Sequence, residues 1–180
     1  RGVGVGCMWY GIGNTSMSNP SRMRVGLSPA GTLTLYSGAV DIGQGSNTIM
    51  TQIAADALGL PAEQFALVSG DTDLTADAGK TSASRQTFVS GKAAELAGRA
   101  LRALILRHAN AGEGARLDFA AGRVVIADGG VVRTLDLAGL PLDARGYVLS
   151  AEETFDPPTT ALDAQGQGSP YAVYGFGAHL

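Results

Sequence analysis

The stretch Gly43-Gln44-Gly45-Ser46-Asn47-Thr48 opens a segment whose apolar residues recur at the spacing of an α-helix. Gly59 follows that segment and suits a helix C-terminal cap, because glycine adopts left-handed backbone without strain. The sequence therefore predicts a helix over 46–58 with a polar, glycine-containing loop at its head. The apolar positions that define this helix are Ile49, Ile53, Ala57 and Leu58.

A second polar stretch, Gly79-Lys80-Thr81-Ser82-Ala83-Ser84-Arg85-Gln86-Thr87, stands at the head of a longer predicted helix. We expect this helix to begin around 82–84 and to end near 108. Its many alanines favour close packing against a sheet. The apolar stripe expected to face the sheet comprises Phe88, Ala93, Leu96, Ala97, Ala100, Leu101 and Leu104.

Both polar stretches fit the chemistry of anion binding. A helix start has unsatisfied backbone N–H groups and a partial positive charge, which together attract phosphate groups. One such loop is common, but two within a span of 45 residues indicate a ligand with an extended, phosphate-bearing body.

The first loop also has a purely structural interpretation, as a strand-to-helix turn. In the binding hypothesis its glycines admit a ligand close to the backbone, and its glutamine offers an amide to the edge of a heterocycle. The hydroxyl and amide side chains that follow either cap the helix or meet a phosphate oxygen. The candidate binding residues here are Gly43, Gln44, Gly45, Ser46, Asn47 and Thr48.

The second loop is more specific, since it combines two cations with four hydroxyls within eight residues. Each charge-assisted hydrogen bond to a phosphate contributes about 1.5–3 kcal/mol. Leu74 stands where a Walker loop requires glycine, so a nucleoside triphosphatase is not expected. The candidate binding residues are Lys80, Thr81, Ser82, Ala83, Ser84, Arg85 and Thr87.

Composition excludes several other classes of protein. The net charge of −3 argues against a nucleic-acid partner, and no apolar run reaches the roughly 18 residues of a membrane span. Cys7 is the only cysteine, which excludes an internal disulfide; we expect it to be a buried small side chain. Asp71, Asp73 and Asp77 lack the pattern of a calcium loop and are expected in Asx turns, so no metal site is predicted.

The remaining pattern predicts an α+β fold: a mixed β-sheet with two main helices packed on one face, in a two-layer α/β sandwich. An alternating pair of runs forms a hairpin, and the segment after Pro61 forms a short buried strand. Residues 152–170 are expected to be a long connecting loop. The predicted strands cover 2–13, 22–27, 32–37, 65–68, a small meander at 117–119, 123–126 and 131–133, then 146–150 and 171–180.

Four motifs in order carry a family resemblance: residues 38–48 (GAVDIGQGSNT), 70–72 (GDT), 79–87 (GKTSASRQT) and 91–94 (GKAA). Together they resemble the molybdopterin-binding subunit of the xanthine dehydrogenase/aldehyde oxidase family, and most of all bacterial aldehyde oxidoreductases. The similarity is continuous to about residue 112, fades through 113–165 and returns at 171–180. On this basis we expect a cofactor-binding α+β unit at 1–112, a β-meander extension of it at 113–151, and a loop and strand at 152–180 that lead into a further segment.

The resemblance implies a molybdenum hydroxylase, which oxidises an aldehyde or an N-heterocycle with water as the oxygen source. Its cofactor would be molybdopterin cytosine dinucleotide with molybdenum. Gly43, Gln44 and Gly45 would line the pterin and metal end, and residues 80–87 would hold the phosphates and cytidine. A non-catalytic binding domain for a phosphate ligand or nucleotide is the alternative.

The resemblance also implies what lies outside these residues. Both ends of the chain are expected to continue into a longer polypeptide, with the general-base glutamate beyond Leu180, so no catalytic residue is expected within it. The expected partners are the other molybdopterin-binding segments, an iron–sulfur domain or subunit with 2Fe-2S clusters, a flavin (FAD) unit in some arrangements, and a small-molecule substrate. A cytoplasmic location is the default expectation, with the periplasm left open.

Overall fold

The structure, a computed structural model, describes residues 2–7 and 15–172. Its two helices are α1 (Ser46–Leu58) and α2 (Gly91–His108), and α2 is preceded by a π-helical turn (Gln86–Ser90). A 3-10 turn (Ala62–Gln64) follows α1. The strands are β1 (Ser21–Leu27), β2 (Leu33–Ser37), β3 (Phe65–Ser69), β4 (Arg116–Ala120), β5 (Arg123–Asp128), β6 (Val131–Asp136) and β7 (Leu149–Phe155).

The main sheet has the order β3-β2-β1-β7 and mixes both strand directions. β1 is antiparallel to β2 and to β7, whereas β3 runs parallel to β2 after the crossover through α1. Alternate residues of β1 and β2, such as Val25 and its partner Leu35, are fully buried in the core with both helices. The predicted α+β class, with two helices over a mixed sheet, is confirmed.

The two helices pack closely against each other. A Cβ atom on Gly91 would lie 2.8 Å from Cδ1 of Ile53, and one on Gly98 would lie 2.8 Å from the carbonyl oxygen of Ala54. Ile53 therefore faces the neighbouring helix, and Met50 and Ala54 take the fully buried positions above the sheet. The predicted stripe of α1 is turned by about one residue, because part of its apolar surface serves the helix–helix contact.

The start of α2 differs from the prediction. Ala83 (φ 55°) and Ser84 (φ 51°) have left-handed backbone, which cannot continue a right-handed helix. The helical turns therefore begin at Gln86 rather than around 82–84, and residues 79–85 form an irregular loop. Phe88, predicted to be in the buried stripe, is 38% exposed.

Three other sequence predictions were wrong. β3 is a half-exposed edge strand rather than a buried one. The strand predicted at 146–150 is β7, which begins at Leu149 and includes 152–155, a region predicted to be loop. The polar residues of β7 concealed it, since an edge strand can turn a glutamate to solvent. Cys7 is exposed rather than buried.

The predicted meander is present as the three-stranded antiparallel sheet β4-β5-β6. Residues 2–7 have no regular secondary structure, and the rest of the strand predicted at 2–13 lies outside the described residues. The same holds for most of the strand predicted at 171–180. The division of the chain at residues 112 and 151 stays a prediction; β7 spans the second of these positions.

Within the described residues, neither helix is long and apolar enough to cross a membrane.

Candidate functional site

A groove of about 1940 Å³ runs along the outer side of the helix pair. Apolar side chains such as Ile53 and Phe88 line it together with charged and amide side chains. Both predicted binding loops reach it, the first through Ile42 and Gln44 and the second through residues 81–87. The structure therefore brings part of each loop to one surface, as the two-loop hypothesis requires.

The two loops are joined at one backbone atom, the carbonyl oxygen of Val40. The hydroxyl of Thr81 donates to it at 2.8 Å, and Nε2 of Gln44 donates to it at 3.2 Å. The Oε1 atom of Gln44 accepts the backbone N–H of Ile42 at 2.6 Å. The loop glutamine is thus held by its own backbone, and Thr81 ties the second loop to the first.

The N-terminus of α1 already has an anion of its own. The carboxylate of Asp41 accepts backbone N–H groups from Gly43 (2.8 Å), Gly45 (3.3 Å) and Asn47 (3.1 Å). These hydrogen bonds, with that of Gly43 the largest, hold the pKa of Asp41 below its usual value. The carboxylate of Asp41 therefore holds the first loop in its conformation. This role of Asp41 was not predicted from the sequence.

The remaining residues of the first loop lie away from the groove. The N-cap residue of α1 is Gly45, which has no side chain to cap the helix, and Oγ of Ser46 is buried without a hydrogen-bond partner. Oδ1 of Asn47 accepts the hydroxyl of Ser69 at 2.9 Å. Asn47 and Thr48 line a second, smaller depression of about 380 Å³ beside the 3-10 turn. Within the first loop, Gln44 is the predicted residue that borders the groove.

Arg85 is fully buried and organises the second loop from within. Its guanidinium donates to the carbonyl oxygens of Ala78, Lys80 (3.3 Å), Asn19 (3.0 Å) and Pro20 (2.8 Å). Burial lowers the pKa of this guanidinium. The hydrogen bonds connect the second loop to the segment that enters β1. A direct contact between Arg85 and a phosphate stays a prediction.

Aromatic side chains hold the same loop from the outside. The hydroxyl of Tyr171 donates to the carbonyl oxygen of Ala83 at 2.7 Å, and its ring stacks on Phe88 with centroids 5.4 Å apart. Phe88 in turn meets Phe155 of β7 edge-on at 6.2 Å. The Tyr171 hydroxyl thus connects the left-handed turn at Ala83 to these aromatic side chains, of which Phe88 and Phe155 line the groove.

The exposed groups of the two loops fit an anionic ligand with polar edges. The side chains of Lys80, Ser82 and Thr87 are exposed, so a cation and hydroxyl donors face outwards. Gly43 (φ 104°) and Gly45 (φ 82°) have open space where a Cβ would stand, which leaves room for a ligand beside the backbone.

Part of this arrangement was not visible in the sequence. Asp41 stands within the motif at 38–48, and its position two residues before glycine is typical of an Asx turn. Gln86 is buried beside Thr81, but it appears in the sequence as one more polar residue of the loop. Tyr171 is far away along the chain, so no local signal connects it to Ala83. In the described residues no group of three potential ligands could hold a metal ion.

Comparison with known proteins identifies the family. Residues 1–180 match the molybdopterin cofactor-binding domain. The chain therefore belongs to this family of cofactor-binding domains.

Two relatives among curated proteins illustrate the similarity. The chain is 31% identical over 173 residues to the putative xanthine dehydrogenase molybdenum-binding subunit of Escherichia coli K12, covering 88% of this chain and 22% of that protein. It is 48% identical over 59 residues to the aldehyde oxidoreductase molybdenum-binding subunit of Escherichia coli O157:H7, covering 33% and 8%. The chain spans about a fifth of the length of the first relative.

Two solved structures share the fold. The aldehyde oxidoreductase from Desulfovibrio desulfuricans aligns with a TM-score of 0.58 and 26% identity, over 89% of this chain and 15% of that one. A copper- and molybdenum-containing carbon monoxide dehydrogenase aligns with a TM-score of 0.56 and 26% identity, over 76% and 18%. The resemblance expected from the motifs is confirmed.

Proposed function

We propose that this chain forms one wall of the cofactor site of a molybdenum hydroxylase. The observation that carries the proposal is the junction at Val40, which places Gln44 and residues 81–87 on the same groove. Membership of the molybdopterin cofactor-binding family supports the ligand class. The polar, glycine-containing character of both loops suits a dinucleotide form of the cofactor, molybdopterin cytosine dinucleotide.

In this proposal each loop binds a different part of the cofactor. Gly43, Gln44 and Gly45 line the pterin and metal end, and the helix start at Ser46, Asn47 and Thr48 supports them. Lys80 and the hydroxyls of Ser82, Ser84 and Thr87 hold the phosphates and the cytidine, and the hydroxyl of Thr81 ties their loop to Val40. Ala83 presents its backbone at the same turn, and the buried Arg85 keeps that turn in place through carbonyl oxygens.

The chain's own residues bind and orient, and no proton transfer is assigned to them. When bound, the cofactor supplies the redox chemistry of hydroxylation, in which a water-derived oxygen is inserted at a C–H bond. Lys80 offsets phosphate charge, since an ammonium group attracts anions as a point charge. Phe88, on which the ring of Tyr171 stacks, gives the groove an apolar surface. The general base is expected in a segment outside these residues.

The proposed substrate and partners rest on the relatives rather than on the groove. The names of the relatives, xanthine dehydrogenase and aldehyde oxidoreductase, support an N-heterocycle or an aldehyde as substrate. We infer that the chain works with the remaining cofactor-binding segments and with an iron–sulfur unit carrying 2Fe-2S clusters, to which a flavin unit is added in some arrangements. We propose a cytoplasmic location as the default, with the periplasm as the alternative.

The test uses the full-length protein with Lys80→Met and Thr87→Val, each of which removes one proposed phosphate contact. We expect molybdenum and releasable cytidine monophosphate per subunit to fall about tenfold in the double variant, because two charge-assisted or polar hydrogen bonds are lost. Arg123→Met, which removes an exposed cation on the meander, is the matched control. Wild-type cofactor content in the double variant would refute the proposed phosphate contacts.

A further inference from the structure

A chain of hydrogen bonds runs from the interior of the helix layer to the junction of the two loops. The hydroxyl of Ser90, which is fully buried, donates to Oε1 of Gln86. Nε2 of Gln86 donates to the hydroxyl oxygen of Thr81 at 3.1 Å, and Thr81 donates to the carbonyl oxygen of Val40 at 2.8 Å. Gln86 is 6% exposed, so water competes little for its amide.

The side-chain groups determine which atom donates and which accepts in each of these hydrogen bonds. Ser90 donates to the amide oxygen of Gln86, which leaves the amide nitrogen as a donor on the opposite side. That nitrogen reaches Thr81 and also the carbonyl oxygen of Gly79, at 3.5 Å. Thr81 has a single hydroxyl proton, and because it accepts from Gln86 it can give that proton to Val40. A side chain at 86 that cannot donate would break this order.

The position of Gln86 determines which parts of the protein this series of hydrogen bonds connects. Gln86 opens the π-helical turn that leads into α2, and such turns are frequent at functional sites. One end of the hydrogen-bond chain is therefore anchored in a packed helix, and the other end holds the backbone of the first loop. Gln44 donates to the same carbonyl oxygen at Val40. The spacing between the two loops depends on Gln86.

We propose that Gln86 is a positioning residue, which acts through Thr81 and Val40 to hold the two cofactor-binding loops at a fixed separation. This inference rests on the proposed function, since it gives the loops their role. Gln86 is not proposed as a ligand, because both ends of its amide are already committed to protein atoms.

The test is a double-mutant cycle in the full-length, cofactor-loaded protein. Gln86→Glu keeps the size of the side chain but replaces the donor with an acceptor, and Thr81→Val removes the hydroxyl at the other end of the link. The measurements are the rate of cofactor release, followed as cytidine monophosphate after dilution, and amide hydrogen exchange over 40–45. Gln64→Glu, at an exposed glutamine of the 3-10 turn outside the groove, is the matched control, and Thr81→Ser keeps the hydroxyl.

We expect each of Gln86→Glu and Thr81→Val to speed cofactor release about tenfold, in line with an unsatisfied buried polar group. Exchange over 40–45 should rise in both variants. The double variant should release cofactor no faster than the worse single one, because both changes break the same link. Thr81→Ser and Gln64→Glu should stay within twofold of wild type.

Two results would overturn the inference. One is release from Gln86→Glu within twofold of Gln64→Glu; the other is a double variant whose effect is the product of the single effects. If Gln86→Glu yields no folded protein, Thr81→Val decides alone, through release and exchange over 40–45. Lys80→Met separates the two proposals: faster release from it, with no effect of Gln86→Glu, refutes only the positioning role. No effect of either variant refutes the proposed function as well.

Discussion

Gly79 lies directly against the guanidinium of Arg85: a Cβ atom at position 79 would stand 2.6 Å from Nη1. The backbone of Gly79 also has φ 69°, which side chains rarely adopt. The glycine of the second loop is therefore required twice, by the conformation of the chain and by the buried cation beside it. The second loop packs around the buried Arg85 in the way that a protein core packs around a buried side chain.

Replacing this glycine should be costly for stability. Gly79→Ala combines left-handed strain with a clash against a fully buried side chain, so we expect it to lower the free energy of unfolding by about 2–4 kcal/mol. Gly43→Ala is the matched comparison, because its φ is 104° but open space surrounds its Cβ position. It should cost about 1–2 kcal/mol. Equal losses by denaturant unfolding would show that Arg85 does not fill this space.

The stability of the protein should depend on the branched geometry of the Arg85 guanidinium as well as on its charge. Arg85→Lys keeps the charge, but a single ammonium cannot reach carbonyl oxygens as far apart as those of Asn19 and Lys80. The carbonyl oxygens left without donors should cost about 1–3 kcal/mol. Thermal unfolding of the variant measures this loss, with Arg123→Lys on the exposed meander as the control. A melting temperature equal to that of the control would contradict the role given to Arg85.

Asp41 should make stability depend on pH. Since its folded pKa is depressed, its contribution is present above the usual aspartate pKa of about 3.9 and is lost as the pH falls through the folded value. Asp41→Asn offers one acceptor oxygen in place of two. The melting temperature should therefore fall below that of wild type at pH 7, and the difference should shrink below pH 4. A difference of the same size at pH 7 and pH 3 would rule out the carboxylate as its source.

Gln44 should matter more for turnover than for stability. Its side chain is exposed and makes its hydrogen bonds within its own loop, to Ile42 and Val40. We expect Gln44→Ala to change the free energy of unfolding by less than about 1 kcal/mol, the usual range for one net hydrogen bond. Activity per bound molybdenum in the full-length protein should fall about tenfold. A large loss of stability with unchanged activity per metal would assign Gln44 to structure.

The sequence predicted the elements that have strong local signals. α1 was predicted to its observed bounds, because its spacing and the left-handed cap at Gly59 act over neighbouring residues. The hairpin of β1 and β2 and the meander were found for the same reason. The misplaced elements are those that depend on distant partners, such as β7, which is a strand because β1 pairs with it.

In the candidate site, too, local features were predicted and contacts between distant residues were not. The loops themselves were visible as polar, glycine-containing stretches, but the contacts that shape them come from elsewhere in the chain. The aromatic support of Ala83 comes from Tyr171, 88 residues away. Arg85 was predicted to bind phosphate, and its burial depends on the carbonyl oxygens of Asn19 and Pro20, which only the fold brings near.

Amide hydrogen exchange of the full-length protein, measured with and without its cofactor, tests most directly whether the two loops form one cofactor site. We expect slower exchange on cofactor binding over 42–48 and over 79–87, with no change over β6 of the meander, which does not border the groove. Protection in both loops would support a shared cofactor site. Equal exchange in both loops with and without cofactor would contradict it.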